Sequence, residues 1–424
     1  MRPSLIPLAL AAALLAAPAW SQPPASFLAP PSTAIPPSSD QAAPNAPLTL
    51  EQALSIAFER SPLLAAARNE AAATEGELQQ AGLLPNPSID VSMDDRRKAS
   101  RTTTTTLSMP IETGGKRGAR VKAAGLARDI AQTDLGAARA DLRSTVIAAF
   151  FDVATAQETV RVAQENASIA QKALQLADKR VAAGKAPPLE SNAARVELAN
   201  ARIETRAAEA ALQTARRSLA VLWGDTAPDF SSVRGEIGRL PERGTLDELR
   251  GELAQSPRMQ AGRLSVDLGA AQLEVEKSKR YPDITLSTGV ARDYEAGRNK
   301  VQFGVGIPLP LFDRNQGNVY AATMRSYKAR DQYRDLEARL AAELLQSVSQ
   351  FDLAAGAAND YRATVLPSAR RAYDSALKGF EAGKVGYLQV LDAQRTRSQA
   401  ELGYLSTLTN AYQAWANIDR VLGR

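Results

Sequence analysis

Apolar positions recur along this chain with two different periods, and the switches between them divide it into elements. Small and apolar residues spaced by three and four predict a short helix from Leu50 to Arg60. Ser61-Pro62 follows, a good N-cap and a good first helical residue, and opens a second helix that runs to about Gly82. Pro85-Asn86-Pro87 then breaks the chain and the period becomes two. Ile89, Val91 and Met93 alternate with Ser88, Asp90 and Ser92; beyond the charged loop Asp94 to Arg101, Thr103, Thr105, Leu107 and Met109 alternate in the same way. Further on, Ile284, Leu286, Thr288 and Val290 share a face, as do Val301, Phe303, Val305 and Ile307. These are two β-hairpins with one apolar face each.

After each hairpin the helical period returns and persists. No Pro occurs from Ile111 to Ala186, and about 70 helical residues would span roughly 105 Å. A helix of that length needs coiled-coil partners. The second long helix carries one Pro, Pro367, where the first has Ser168, and a bend is expected there. Each long helix turns at Gly184 or Gly383, and a helix of about 35 residues returns.

The order of elements occurs twice. Thr49-Leu50-Glu51 matches Thr245-Leu246-Asp247, Ser61-Pro62 matches Ser256-Pro257, and Pro87 and Ile89 match Pro282 and Ile284. Met109-Pro110-Ile111 matches Ile307-Pro308-Leu309, Val121 matches Val319, Ala183-Gly184-Lys185 matches Ala382-Gly383-Lys384, and Leu222-Trp223-Gly224 matches Val421-Leu422-Gly423. The spacing drifts only between about 195 and 199 residues. Two tandem repeats, 48–224 and 245–424, are therefore expected, joined by a Gly- and charge-rich linker at 225–244. The fold class is mainly α with a small β part.

The N-terminus changes the meaning of the hairpins. Arg2, the apolar run Leu5 to Ala17 and small residues around Ala17-Pro18-Ala19 or Ala19-Trp20-Ser21 read as an export signal over 1–21. The Pro-, Ser- and Ala-rich stretch 22–47 reads as an extended leader. That apolar run is too short for a transmembrane helix, and no later stretch is long enough without charges. A half-buried soluble hairpin also alternates. Export without a spanning helix tips the balance to membrane strands, apolar outward and polar inward. Four strands per chain cannot close a barrel, and open edges are not tolerated in lipid. Three copies would supply twelve strands, with the long helices forming a cylinder below.

Composition then removes chemistry. The 424 residues contain no Cys and no His, so zinc-type metal sites lose their preferred ligands and the common catalytic triads are absent. No cofactor or enzyme constellation is expected. The charge of +5 is mild and dispersed, which disfavours nucleic acid as a partner. Gly114-Gly115-Lys116-Arg117 lacks the spacing of a phosphate loop and reads better as a strand-to-helix turn at the membrane boundary, with Lys116 and Arg117 near lipid head groups.

The duplicated unit resembles the TolC-type outer-membrane efflux factors over nearly all of 48–424. Leu83-Leu84-Pro85-Asn86-Pro87, Gly114-Gly115-Lys116-Arg117 and Val365-Leu366-Pro367 are similar to the cobalt–zinc–cadmium, heavy-metal branch. The resemblance implies a passive homotrimeric duct in the outer membrane, with a long periplasmic extension. It implies docking on a periplasmic adaptor and an inner-membrane RND pump that delivers the substrate, heavy-metal cations in that branch. Many relatives have a lipidated N-terminal Cys, which this chain lacks. The turns Gly184-Lys185 and Gly383-Lys384-Val385-Gly386, followed by Leu189 and Leu388, correspond to the adaptor-contacting tip; they also fit plain helix C-caps. Leu391-Asp392-Ala393 resembles the segment whose acids ring the closed pore, with Gln389 where a second acid would sit. Asp392 equally suits the first turns of a helix. A periplasmic coiled-coil scaffold without a pore is the competing reading, and it gives no reason for matched apolar strand faces in both repeats.

Overall fold

The computed structural model describes residues 47–95, 97, 100–235 and 237–424; the export signal and nearly all of the leader lie outside them. Strand β1 (Leu48–Thr49) leads into α1 (Leu50–Arg60), where Thr49 and Gln52 form a capping box. Helix α2 (Pro62–Ala81) begins on the Pro and is followed by β2 (Ser88–Asp94) and β3 (Thr102–Ile111). The long α3 (Lys116–Ala182) and the returning α4 (Pro188–Val221) complete the first half. After β4 (Val233–Arg234) the order recurs: α5 (Leu246–Ala254), again with a capping box from Thr245 and Glu248, α6 (Pro257–Ser278), β5 (Ile284–Asp293), β6 (Arg298–Gly306) and α7 (Gln316–Asp360). Helices α8 (Leu366–Glu381) and α9 (Tyr387–Leu422) end the chain.

Two sequence expectations change in detail. Helix was expected from Ile111, but Ile111 ends β3 and α3 starts at Lys116, because Gly114 and Gly115 take left-handed φ of 67° and 74°. The remaining 67 residues still span about 100 Å. The bend expected at Pro367 takes the form of a π-helical turn at Tyr361–Val365, in which the Leu366 N–H reaches back to the Tyr361 carbonyl. Widening the turn by one residue moves the preceding carbonyls away from the proline ring and absorbs its missing donor.

Each returning helix ends on the start of its own repeat. Gly224 and Gly423, at φ of 83° and 80°, lie against Pro62 and Pro257 respectively. A Cβ at Gly423 would come within 2.2 Å of the Pro257 ring. One apolar cluster packs Ala53, Leu64, Ile147, Phe150, Leu219 and Tyr412 together; a second packs Leu249, Leu344, Phe351, Ile418 and Val421. The Phe151 and Tyr412 rings stack at 3.5 Å between centroids, joining the halves. The linker is part of this packing. Phe230 and Val233 are buried in the first cluster, Val233 exchanges hydrogen bonds with the Gln157 amide, and the Tyr412 hydroxyl donates to the carbonyls of Ile237 and Arg239.

Candidate functional site: the exposed sheet and the helical tip

The four long strands form one antiparallel sheet in the order β2-β3-β5-β6, so the hairpins of the two repeats join through β3 and β5. The register sorts the two faces cleanly. Ile89 opposes Leu107, Met109 opposes Leu286, Leu286 opposes Val305, and Val290 opposes Val301. The opposite face carries Ser92, Thr104, Ser108, Ser287 and Gln302, pairing with one another or with small residues such as Gly304. Residues directly opposite share a face, so the apolar residues of all four strands form one surface. That surface is uncovered: Val91 is 69% exposed, Val301 65% and Phe303 84%. In water such a patch is unfavourable, whereas hydrocarbon would accept it. Among the described residues the outer edges of β2 and β6 have no strand partner. Among the described residues no helix is long and apolar enough to cross a membrane.

Where the sheet meets the helices, the two repeats are clasped. The Thr113 N–H donates to Asp283 Oδ1 at 3.1 Å, and its hydroxyl donates to the Pro282 carbonyl at 2.5 Å. Lys116 Nζ pairs with Asp283 Oδ1 at 2.7 Å. Gly114 lies on Tyr281, leaving no room for a Cβ. Lys116 is thus committed to this junction, and Arg117 is the exposed cation beside it.

At the far end of the helices the two turns are built alike. Gly184 and Gly383 adopt φ of 67° and 72°. Lys185 N–H donates to the Arg180 carbonyl and Gly184 N–H to that of Val181; Lys384 and Gly383 do the same to Gly379 and Phe380. These are paired Schellman caps, so the glycines are required by the backbone itself. Ala177 and Ala194 from the first repeat pack with Phe380, Tyr387, Val390 and Leu391 from the second, placing the turns side by side. Lys185, Lys384 and Gly386 are exposed and Val385 half-buried, while Leu189 and Leu388 are 75% and 72% exposed at equivalent positions. Gln389 and Asp392 are also exposed, on the side of α9 away from buried Val390 and Leu391.

Behind the tip lies a charged network that the sequence pattern did not single out. Arg397 pairs with Glu165 of α3 and, at 3.3 Å, with Glu401; Arg370 of α8 reaches Glu401 at 3.4 Å. The Arg397 guanidinium also lies 5.4 Å from the centre of the Tyr373 ring. Its hydrogen bond, and then its charge, hold the Glu165 carboxyl below its usual range against the opposing pull of burial. Nearer the tip, Arg395 bridges to Glu197 of α4 at 2.7 Å. Tyr387 is buried, and no hydrogen bond is found for its hydroxyl. Burial, followed by the nearby Glu197 charge, pushes it up to about 12. One sequence signal could have exposed the network: Arg397 occupies the position of Leu198 in the first repeat, with Gln394 and Glu401 beside it on the same helix face.

Comparison with known proteins fits this geometry. The chain matches the outer membrane efflux protein family over residues 53–225 and 249–424. It is 44% identical to the cobalt-zinc-cadmium resistance protein CzcC of Cupriavidus metallidurans, covering 89% of this chain and 90% of that protein. It is 28% identical to the nickel and cobalt resistance protein CnrC of the same organism, over 67% and 68% of the two chains. Among solved structures it resembles VceC of Vibrio cholerae (TM-score 0.74, 20% identity, 88% and 96% covered) and the Campylobacter jejuni CmeC outer membrane channel (TM-score 0.77, 16% identity, 91% and 90% covered). With an uncovered apolar sheet, long paired helices and a family match in both halves, the chain belongs to the outer membrane efflux proteins and serves as the outer-membrane duct of a tripartite efflux system, not as an enzyme.

Proposed function

We propose that three copies close into a twelve-stranded barrel, continued by a helical cylinder, and that this passive duct releases heavy-metal cations. An inner-membrane RND pump would deliver them through a periplasmic adaptor. The observation that carries the assembly is the open four-stranded sheet: its apolar face suits lipid, and its edges β2 and β6, without a strand partner among the described residues, suit pairing with other copies. A second support is the outer face of α4, where Leu189, Val196 and Ile203 stand one heptad apart at 75%, 61% and 56% exposure. The cargo reading rests on the 44% identity to a cobalt-zinc-cadmium resistance protein.

The paired turns at 184–189 and 383–388 are proposed as the adaptor surface. Arg117 is proposed as a contact for lipid head groups at the membrane boundary. Asp392, beside Gln389, is proposed as the acid that, three times over, makes a cation-attracting ring at the entrance. The unpaired Tyr387 hydroxyl supports a tip that rearranges on opening, because a buried orphan hydroxyl costs about 1–3 kcal/mol.

The test is sizing of the mature protein in detergent, followed by single-channel conductance in planar bilayers. A trimer with cation-preferring conductance, altered in Asp392→Ala, supports the duct and its gate. A stable monomer that never inserts sinks both. Cargo is tested separately, by restoration of zinc, cobalt and cadmium tolerance in a host lacking its own outer-membrane component. Unchanged tolerance with the cognate pump and adaptor present removes the metal assignment.

A further inference from the structure

At the loop end of the sheet the apolar face stops at a pair of arginines. Arg292 of β5 stands opposite Thr103 and continues the face of Leu286, Thr288 and Val290. Tyr294 and Arg101 extend that face by one further pair, in which the Tyr294 N–H donates to the Arg101 carbonyl at 3.1 Å. Both guanidiniums pack on the Tyr294 ring, Arg101 at 4.4 Å and Arg292 at 5.2 Å from its centre. The negative face of an aromatic ring attracts each cation, so it holds together two like charges that would otherwise separate. From Ile284 to Tyr294 the chain runs about 33 Å. At a strand tilt of about 40° that is a rise of roughly 25 Å, the height of the apolar band of a membrane barrel. The cluster therefore falls where hydrocarbon gives way to head groups, at the end of the sheet away from the helices.

Among the described residues neither guanidinium enters an ion pair, and the buried Arg101 Nε has no hydrogen-bond partner. The carboxylates around them are engaged elsewhere. Asp293 points to the opposite face of the sheet, where it meets Lys300 Nζ at 2.9 Å and the Ala296 N–H at 2.9 Å. Asp95 accepts from the Arg97 N–H at 3.0 Å and from the Ser100 hydroxyl at 2.5 Å. Glu295, exposed on the loop, enters no ion pair among the described residues. Two uncompensated cations on a lipid-facing surface are tolerated only near an interface, and there they suit an anion. A guanidinium can meet a phosphate with two parallel N–H···O bonds, and phosphate is the anion that lipid head groups carry.

We propose that Arg101 and Arg292, held on the Tyr294 ring, bind the phosphate of a lipid head group in the leaflet that surrounds the loop end of the sheet. This rests on the membrane duct described above, with the apolar face in lipid, and goes beyond it by giving the wall a preferred class of lipid. The two arginines make the contact, and Tyr294 is a positioning residue that keeps them together. A phosphate bound at this level would fix how deeply the sheet sits, because the apolar band below it cannot slide without pulling the arginines off their anion.

The detergent-purified protein is first sized by light scattering. It is then titrated with diphosphoryl lipid A and, separately, with phosphatidylcholine, and lipid adducts are counted by native mass spectrometry. Arg101→Gln with Arg292→Gln should weaken lipid A binding by about tenfold or more, since two charge-assisted contacts are lost. Arg298→Gln with Lys300→Gln removes the same charge from the opposite face of the hairpin and should leave binding unchanged. Tyr294→Ala should weaken binding, while Tyr294→Phe, which keeps the ring, should not. Phosphatidylcholine, whose phosphate carries its own ammonium, should bind weakly and equally in all variants. Should the double variant lose the wild-type oligomer, Arg292→Gln alone, at an exposed position, should show the same loss at smaller size. Equal weakening by the two double variants would replace the site with diffuse charge attraction, and displacement of lipid A by excess inorganic phosphate would make it a free-anion site. An oligomer that conducts and binds lipid A equally in every variant overturns the proposal alone. A monomer that never inserts overturns the duct as well.

Discussion

The two halves of this chain share one plan and spend their differences at matched positions. Helix α4 buries eight side chains among its 34 residues, packing chiefly on α3 and leaving Leu189, Val196 and Ile203 outward. Helix α9 buries sixteen among 36, packed against α3, α7 and α8. The second repeat thus supplies the central helix and the first a peripheral one. Duplication supplied two equal helices; burial made them unequal, and the residues followed. Leu198 fills its site on α4 with apolar contacts, whereas Arg397, its equivalent, is held between Glu165 and Glu401. The first repeat's long helix runs unbroken, while the second carries the π-helical turn ahead of Pro367. A wider turn is a natural place for a helix to move, and it lies in the same half as Asp392, Tyr387 and the charged network.

The sharpest way to break this contrast is at the Leu198 and Arg397 pair of positions. Arg397→Ala takes one partner from each of two carboxylates, leaving Glu165 with Arg161 and Glu401, at 8% side-chain exposure, with Arg370, and should cost about 3 kcal/mol in denaturant unfolding followed by helical circular dichroism. Leu198→Ala leaves only a cavity at a helix seam and should cost about 2–3 kcal/mol. A smaller effect at Arg397 than at Leu198 would mean that the charges are more replaceable than the leucine.

Tyr387→Phe removes an orphan hydroxyl from a buried site, so it should stabilise the tip by about 1–3 kcal/mol, with a shift toward closed conductance states. A loss of stability would show that the hydroxyl has a partner in the assembled protein. Gly184→Ala and Gly383→Ala should each cost about 1 kcal/mol, since both glycines sit at positive φ in open space and only the backbone objects. A much larger loss of efflux than of stability in either variant would place that turn in the adaptor contact.

A smaller effect concerns acid. Glu165 has a folded-state pKa below its ordinary 4.5, held there chiefly by the Arg397 hydrogen bond. Its stabilisation is therefore complete above that value and is lost as pH falls through 4.5 and below. Glu165→Gln should flatten the acid side of the stability profile and leave the alkaline side unchanged. An unaltered acid limb would assign the lability to other carboxylates. Smallest of all, Arg395→Ala should cost under about 1 kcal/mol, because that arginine is 55% exposed and its pair with Glu197 is screened.

By itself, the sequence determined the element types, their order and their duplication, because each depends on local periodicity and on residues with one dominant backbone preference. Alternation over Ser88–Met93 and Ile284–Val290 specified strands with an apolar side, and Ser61-Pro62, Gly184 and Gly383 marked helix limits. It overran α3 by reading Ile111 as helical, since an apolar residue fits either period and only the left-handed pair Gly114-Gly115 sets the boundary. Only the tertiary structure decided that β3 pairs with β5, that the linker docks on Gln157 and Tyr412, and that Lys116 is spent on Asp283, 167 residues away. It alone brought Glu165, Arg370 and Arg397 into one network. Those contacts join groups far apart in the chain, and periodicity carries no record of which distant face a residue will meet.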